Sequence, residues 1–304
     1  MAISRAQLVK ELEPGLNALF GLEYKRYENQ HAEIYTTESS DRAFEEEVML
    51  SGFANANVKV EGSGVAYDEA QETYTARYTH DTLALAFSIT EEAIEDNLYD
   101  RLASRYTKAL ARSMSNAKQV KAVTPLIDGL PSTDAYDSGD GVSLFNTSHT
   151  TVSGTAVKNT LSTQADLNET SLEQALIDIA AFTDERGLRV AAKGTKMIVP
   201  SANQFAAERL LKSQGRTGTA DNDINAVVSM GMVPQGYRVN NFLTDSDSWY
   251  IITDVPNGMK MFQRAALKTA MEGDFDTGNV RYKARERYSF GVSDYRGIFG
   301  VEGA

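Results

Sequence analysis

Apolar residues recur every four positions from Ile94 through Leu98, Leu102 and Tyr106 to Leu110, the strongest periodic signal in the chain. The pattern predicts a helix over residues 90–122, with Thr90 as N-cap and no Gly or Pro to interrupt it. At 1.5 Å per residue it would be roughly 45–50 Å long, more than a compact enzyme domain usually contains. Glu91, Glu92, Glu95, Asp96 and Asp100 open it, and Arg101, Arg105, Lys108, Arg112, Lys118 and Lys121 follow, an order that suits the helix dipole. Pro125 and the segment "DGLPSTDAYDSGDG" are expected to end it in a loop.

Before this helix the period changes from four to two. Residues 57–89 predict a long β-hairpin, with "NVKVE" as one arm, "GSGVAYDEAQE" as the turn and "TYTARYTHDTLALAFSI" as the other. The second arm slips in phase. Tyr74, Ala76 and Tyr78 occupy even positions, whereas Leu83, Leu85, Phe87 and Ile89 occupy odd ones. One strand cannot hold both sets on one face, so a bulge, bend or change of packing partner is expected between Thr79 and Thr82. The outer half would project, with Tyr74 and Tyr78 exposed until a neighbour covers them.

Residues 1–49 read as an arm. Leu8, Val9, Leu12, Leu16, Leu19 and Phe20 have helical spacing, but Pro14-Gly15 divides them into two short helical pieces or an extended strip, and "ESSDRAFEEEV" is expected to be exposed. From about residue 160 helix and strand alternate. Thr170 and Glu173 read as a capping box with Gly187 as the helix stop, "TKMIVP" as a buried strand, and Ser201 and Gln204 as the cap of "NQFAAERLLKS". "QGRTGTADNDIN" reads as a loop, "GYRVNN" and "SWYIITDV" as strands with Trp249 and Tyr250 in the core, and "NVRYKARERYSFGVSDYRGIFGVEG" as a return to strand alternation.

Composition narrows the functions open to such a chain. Its 304 residues suffice for one large or two ordinary domains, and with no cysteine it can form neither a disulfide framework nor a thiolate metal site. No apolar run is long enough to span a bilayer, and Lys10, Glu11 and Glu13 break the N-terminal apolar segment a signal peptide needs. The Asn146 and Asn168 sequons are therefore read as chance matches. A net charge of −12 argues against a surface built to grip nucleic acid, though not against a protein that sits beside it.

Candidate chemistry is sparse. The adjacent Ser148 and His149 suggest a hydrolase, but neighbours on one backbone seldom aim at each other, and no G-x-S-x-G elbow is present. The bland reading is a loop histidine bonded locally, and no catalytic residue is assigned. His31, His80 and His149 share no metal-ligand spacing. Asp221, Asp223 and Asn225 imitate an EF-hand, but Ala226 replaces its glycine and Met232 its bidentate glutamate. "EGSGVA" and "GRTGTA" lack the Lys and the strand–turn–helix setting of a phosphate cradle, so neither metal nor cofactor is expected.

The order of the pieces resembles a tailed-phage major capsid protein of the Hong Kong-97-type fold. Specifically, "LFNTSHT", "SLEQALIDIAAFTDERGLRV", "KMIVPSANQFAAERLL", "SWYIITD" and "ERYSFGVSDYRGIFG" are similar to the Mu-like major head subunit family. The resemblance implies an α+β fold with a long spine helix, an extended β-hairpin loop and an α/β axial domain. On this chain the parts would be an N-terminal arm (1–49), the extended loop (50–88), a peripheral domain with the spine helix (89–159), the axial domain (160–260) and a return to the peripheral domain (261–304). It implies self-association into hexamers and pentamers of an icosahedral shell around phage double-stranded DNA, contacted non-specifically, with scaffold, portal and decoration proteins as further partners, no membrane, and assembly in the bacterial host cytoplasm.

Some members of that fold cross-link a loop lysine to a neighbour's asparagine; Lys59 lies in the corresponding region, and nothing else marks the chemistry. No N-terminal scaffolding segment is evident before the loop, which leaves a separate scaffold or none open. Subunit contacts are expected at Lys59, Tyr74, Tyr78, Arg281, Arg285 and Arg287, the arginines meeting acidic partners across subunits. Alternatives are an encapsulin-type bacterial compartment, a hydrolase centred on Ser148 and His149, or a portal, tail or decoration protein, whose folds lack the long-helix layout.

Overall fold

The computed structural model describes residues 5–90, 92–93, 99–215, 223–274 and 277–304. Helix α1 spans Arg5–Arg26 without a break at Pro14, contrary to the two pieces expected. Tertiary packing outweighs the local cost of the proline. Leu16 and Phe20, one turn apart, are buried against Leu110, Met114 and Tyr282, and the Asn17 side chain accepts hydrogen bonds from Thr269 (2.7 Å) and Tyr282 (2.8 Å).

Helix α2 runs from Tyr99 to Asp128, through Pro125 and beyond the predicted end. Pro125 falls in the last turn, where the missing N–H removes a single bond, and the Thr124 hydroxyl donates to Val120 O (3.1 Å) just before it. The predicted stripe is displaced. Ile94 and Leu98 lie outside the described residues, Tyr106 is 47 % exposed, and the buried face carries Ala103, Thr107, Leu110, Ala111, Met114, Lys118, Ala122, Val123 and Leu126. Steps of four drift about 40° per repeat on a helix of 3.6 residues per turn, so a face is held only by alternating threes and fours.

Two four-stranded sheets carry the rest. The first has the order β1–β10–β11–β4, formed by Thr36–Ser39, Met259–Gly273, Val280–Val292 and Asp81–Ile89. The strand β1 pairs parallel to β10, and the remaining ladders are antiparallel. On one face lie α1 and α2. The second sheet has the order β12–β9–β7–β8, formed by Ile298–Val301, Trp249–Thr253, Gly194–Val199 and Tyr237–Val239. Its strands match the apolar runs, and Trp249 and Tyr250 are fully buried as expected.

Helix α3, Glu169–Ala180, begins two residues earlier than read, because Asn168 caps it and Ser171 returns the bond (2.9 and 3.0 Å) in place of Thr170 and Glu173. Gly187 (φ 84°) closes a later turn at Thr183–Arg189, past the end of that helix. Helix α4, Gln204–Lys212, follows a 3-10 turn at Ser201–Asn203 and has no side-chain cap. A last helical turn, α5 (Ala226–Ser229), is capped by Asn225, whose amide oxygen accepts from Val227 and Val228; the residue that imitated a calcium ligand is a cap. Asp221 lies outside the described residues.

The phase slip has a direct cause. Strand β3 (Glu72–Thr79) pairs with β2 (Phe44–Leu50), and β4 pairs with β11, so the chain changes partner at His80. Even-numbered Tyr74, Ala76 and Tyr78 pack towards Phe262 and Tyr295, while Leu83, Phe87 and Ile89 pack towards α1 and α2. The first arm of the hairpin is the charged "FEEEVML", and "NVKVE" forms no strand.

The turn after α1 is held by His31, whose backbone N–H donates to Gln119 Oε1 while its Nδ1 accepts from Gln119 Nε2 (both 2.9 Å). Burial, reinforced by Lys118, pushes the imidazole down to about 4 against the contribution of Gln119. The folded state therefore disfavours the proton. Stability carried by neutral His31 is complete above the ordinary value of 6.5 and is lost as pH falls towards about 4. Replacing His31 with Gln should flatten melting temperature against pH across that window, removing an acid-side loss of about 3 kcal/mol. An unchanged pH profile would show that His31 does not carry it.

Candidate assembly interface

Residues Phe53–Gln71 are exposed throughout, and no ladder organises them. The segment is tied at its base only. Ser51 N–H donates to Gln71 O (2.8 Å), Gln71 N–H to Ser51 Oγ (2.9 Å), Ala54 N–H to Asp68 Oδ2 (2.7 Å), and the Arg186 guanidinium reaches Glu69 O. At its tip Val60 O accepts from Ser63 N–H (3.1 Å) around Gly62, whose φ of 78° suits only glycine. Phe53, Val58, Val60, Val65 and Tyr67 all face solvent, as does Lys59. So much apolar surface on one unpaired segment is what a partner normally covers.

Tyr74 and Tyr78 are placed differently from the expectation. Tyr78 is 3 % exposed, its ring edge-on to Phe262 (4.8 Å) and its hydroxyl bonded to Ser293 Oγ. Tyr74 stacks on Tyr295 (6.3 Å) and donates to Ser293 O (3.4 Å). Burial pushes both phenols above their ordinary range. These tyrosines fasten the hairpin to its own chain, since the even face of β3 turns inward where an unpaired projecting arm would have turned out.

The arginines fall on one strand. Along β11, Tyr282, Ala284, Glu286 and Tyr288 are buried, while Arg281, Lys283 and Arg285 are exposed and Arg287 is half-buried. Arg281 pairs with Asp274 across the β10–β11 turn, and Arg287 donates to Ala43 O (3.5 Å). Across the ladder, Lys268 stands opposite Arg285 and small residues Ala84, Ala86 and Ser88 lie on the other side. A basic face thus stands on a chain of net charge −12. Lys268 and Lys283 were missed as candidates, although the alternation of "RYKARER" already sets Lys283 with the arginines.

Ser148 and His149 occupy the junction of the two sheets. His149 is fully buried, stacked on Tyr295 at 3.9 Å, with Nδ1 against Asp140 Oδ2 (2.6 Å) and Nε2 against Asn159 Oδ1 (3.1 Å). The orientation of Asn159 follows from its other bonds. Its oxygen also accepts from Asn146 N–H (2.9 Å), and its Nδ2 donates to Leu144 O (2.7 Å) and Tyr295 O (3.1 Å). Burial would raise the Asp140 carboxyl, but hydrogen bonds from His149 and Ser138 outweigh it and hold it below its ordinary range. Ser148 is exposed, and its backbone N–H donates to Asn146 Oδ1 (2.9 Å). Both imidazole nitrogens are thus engaged by groups other than the Ser148 hydroxyl.

The neighbouring turn completes the junction. Arg296, itself buried, bonds Glu185 and Asp294 Oδ1 (3.2 Å) and donates to Thr183 O (2.8 Å), and its guanidinium lies over the Tyr295 ring at 4.5 Å. His31 and His80 stand elsewhere, the latter between Ser40 Oγ (2.9 Å) and Ser289 Oγ (3.0 Å). Among the described residues no group of His, Asp or Glu could hold a metal ion, and no helix is long and apolar enough to cross a membrane.

Residues 72–301, which contain the second sheet, three strands of the first, the long helix and the junction, match the model of the family described as phage capsid protein. The chain belongs to this family. Solved structures agree on the fold of this phage capsid protein. The capsid of an empty GTA particle superposes with a TM-score of 0.53 at 13 % identity, covering 90 % of this chain and 89 % of that one. The capsid of Myoviridae phage XM1 gives 0.52 at 11 %, covering 89 % of each. A virus-like particle from Pyrococcus furiosus gives 0.50 at 11 %, covering 94 % and 98 %. No curated protein matches the sequence. For a capsid subunit the buried junction is a structural fastening between two sheets, which is how its bonds are spent.

Replacing His149 with Ala in this capsid protein would leave the buried Asp140 Oδ2 without its hydrogen-bond partner, Ser138 bonding only Oδ1. It should lower unfolding free energy by about 3 kcal/mol in urea titrations. Ser148→Ala, on the exposed side, should change it by less than about 0.5 kcal/mol. Equal effects at the two positions would contradict a fastening role for the imidazole.

Proposed function

We propose that this capsid protein is a major head subunit whose work is self-association into hexamers and pentamers of an icosahedral shell. The shell would enclose phage double-stranded DNA, held by non-specific contacts, and would assemble in the host cytoplasm with scaffold, portal or decoration proteins as further partners. Within the family, "LFNTSHT" and the helix after it favour the Mu-like head subunits. The sheet bearing α1 and α2 takes the peripheral role and residues 160–260 the axial one.

One observation carries the reading: the exposed, ladder-free segment Phe53–Gln71 with its unburied Phe53, Val58, Val60, Val65 and Tyr67. We read it as the loop that lies over an adjacent subunit, with Lys59 in the contact, and Arg281, Arg285 and Arg287 meeting acidic groups across subunits. No catalytic role is assigned. Each contact can be modest, because a closed shell repeats it many times.

The likeness to the virus-like particle from Pyrococcus furiosus supports a second reading, a compartment shell holding protein cargo. Nucleic acid inside purified particles favours the head subunit, and an enclosed enzyme favours the compartment.

Electron microscopy and sedimentation of the purified chain test self-association directly. Replacing residues 55–67 with a Gly/Ser segment of equal length should abolish particles while changing subunit stability by less than about 0.5 kcal/mol, as for other exposed substitutions. A chain that stays monomeric under all conditions, scaffold included, would sink the proposal.

A further inference from the structure

Strand β4 is an unprotected sheet edge. It ends the order β1–β10–β11–β4, and its ladder with β11 runs without a bulge from Asp81 to Ile89. Among the described residues no backbone bond reaches its outer side. An edge strand exposes a row of unpaired N–H and C=O groups, and proteins usually blunt it with charge, proline, a bulge or shortness. The other edges of the two sheets are treated in those ways. The outer side of β10 is covered by β1 at Lys260–Gln263, and beyond that it carries register shifts near Ala265 and Lys268. The strands β1, β8 and β12 are short. After Asp81, by contrast, "TLALAFSI" has no charge, proline or glycine; Leu85 is 45 % exposed, and so is Tyr106 at 47 %, whose ring packs on Phe87 of the same strand (5.7 Å).

The same chain holds a strand-patterned segment with no ladder. "NVKV", residues 57–60, alternates apolar and polar as a half-buried strand does, yet Val58 is 94 % and Val60 69 % exposed. We propose that residues 57–61 of one copy pair along the outer edge of β4 in a second copy, extending that sheet by one strand. This rests on the reading that the loop crosses to an adjacent subunit, and it names what the loop binds there.

The apolar positions match, and of the two charged ones Glu61 complements the basic face while Lys59 does not. With Val58 and Val60 beside Leu85 and Tyr106, Lys59 and Glu61 fall on the face bearing Arg281, Lys283 and Arg285. The exposed segment is acidic, with Glu61, Asp68 and Glu69 against Lys59, and it would lie against the basic face of the neighbouring subunit. Backbone bonds would supply the affinity, and the valines and charges would set register and face.

The absence of cysteine makes the test clean. Subunits carrying Val58→Cys or Val60→Cys are mixed with subunits carrying Leu85→Cys, assembled, and oxidised. The expected result is a disulfide-linked dimer in particles from the mixture, and in neither population alone nor in unassembled subunits, since cross-strand neighbours lie within disulfide reach. Hydrogen exchange on the unmodified chain provides a measurement free of variants: amides of 57–61 and of 82–88 should slow together on assembly, by at least tenfold. Particles in which 57–61 become protected while 82–88 do not, or that yield no mixed disulfide, would overturn the pairing and leave the shell reading intact. Failure of the unmodified chain to assemble would remove both.

Discussion

The fold depends on one buried guanidinium. Arg296 lies in the turn where β11 of the first sheet passes into β12 of the second, and its side chain bonds Glu185, Asp294 and the Thr183 carbonyl. Burial pushes the Asp294 carboxyl upward against the pull of Arg296. A buried ion cluster adds little net stability over a well-packed apolar one, but its bonds are directional, and losing one partner strands the others. Its value here is to set one arrangement of the two sheets. Tyr295 and His149 stack beside it, and Asn159 Nδ2 donates to the carbonyls at both ends of the turn, Tyr295 O (3.1 Å) and Ile298 O (3.4 Å). The backbones of Gly258 and Gly297 meet so closely that a Cβ on Gly297 would lie 2.3 Å from Gly258 Cα.

With this junction rigid, the surfaces are free to serve contacts between copies. A chain of net charge −12 concentrates Arg281, Lys283, Arg285 and Lys268 on one sheet face and leaves acidic residues on an extended loop. Segregated charge of this kind steers like subunits into a fixed relative orientation and opposes others, more than it adds affinity. The buried pair of Lys118 and Glu286 (3.3 Å) keeps the opposite face of β11 seated on α2, so that the exposed and buried faces of that strand cannot exchange.

Much of the fold was legible in local pattern. The strands at Gly194–Val199, Tyr237–Val239 and Trp249–Thr253 follow their apolar runs, and the slip between Tyr78 and Leu83 correctly located a change of partner. Local rules failed where a distant residue decided the outcome. Helix α1 continues through Pro14 because Leu16 and Phe20 have a core to enter. The hairpin uses charged Phe44–Leu50 as its first arm, and the better-patterned 57–60 stays unpaired. The proposed assembly surface was half legible: the odd positions of β11 could be read from the sequence, but not that Tyr74 and Tyr78 turn inward onto Ser293 and Tyr295.

By itself, the sequence determined the long helix and the strands of the second sheet around Trp249, that thiol chemistry is impossible, and that one strand carries basic residues on alternate positions. These follow from periodicity and composition, which act within a few residues. Tertiary structure alone decided that His149 is stacked on Tyr295, that Lys118 and Glu286 are buried together, and that β4 is left as an open edge. Each of these depends on which elements meet across more than a hundred residues of chain, and the period of an isolated segment cannot encode the identity of its partner.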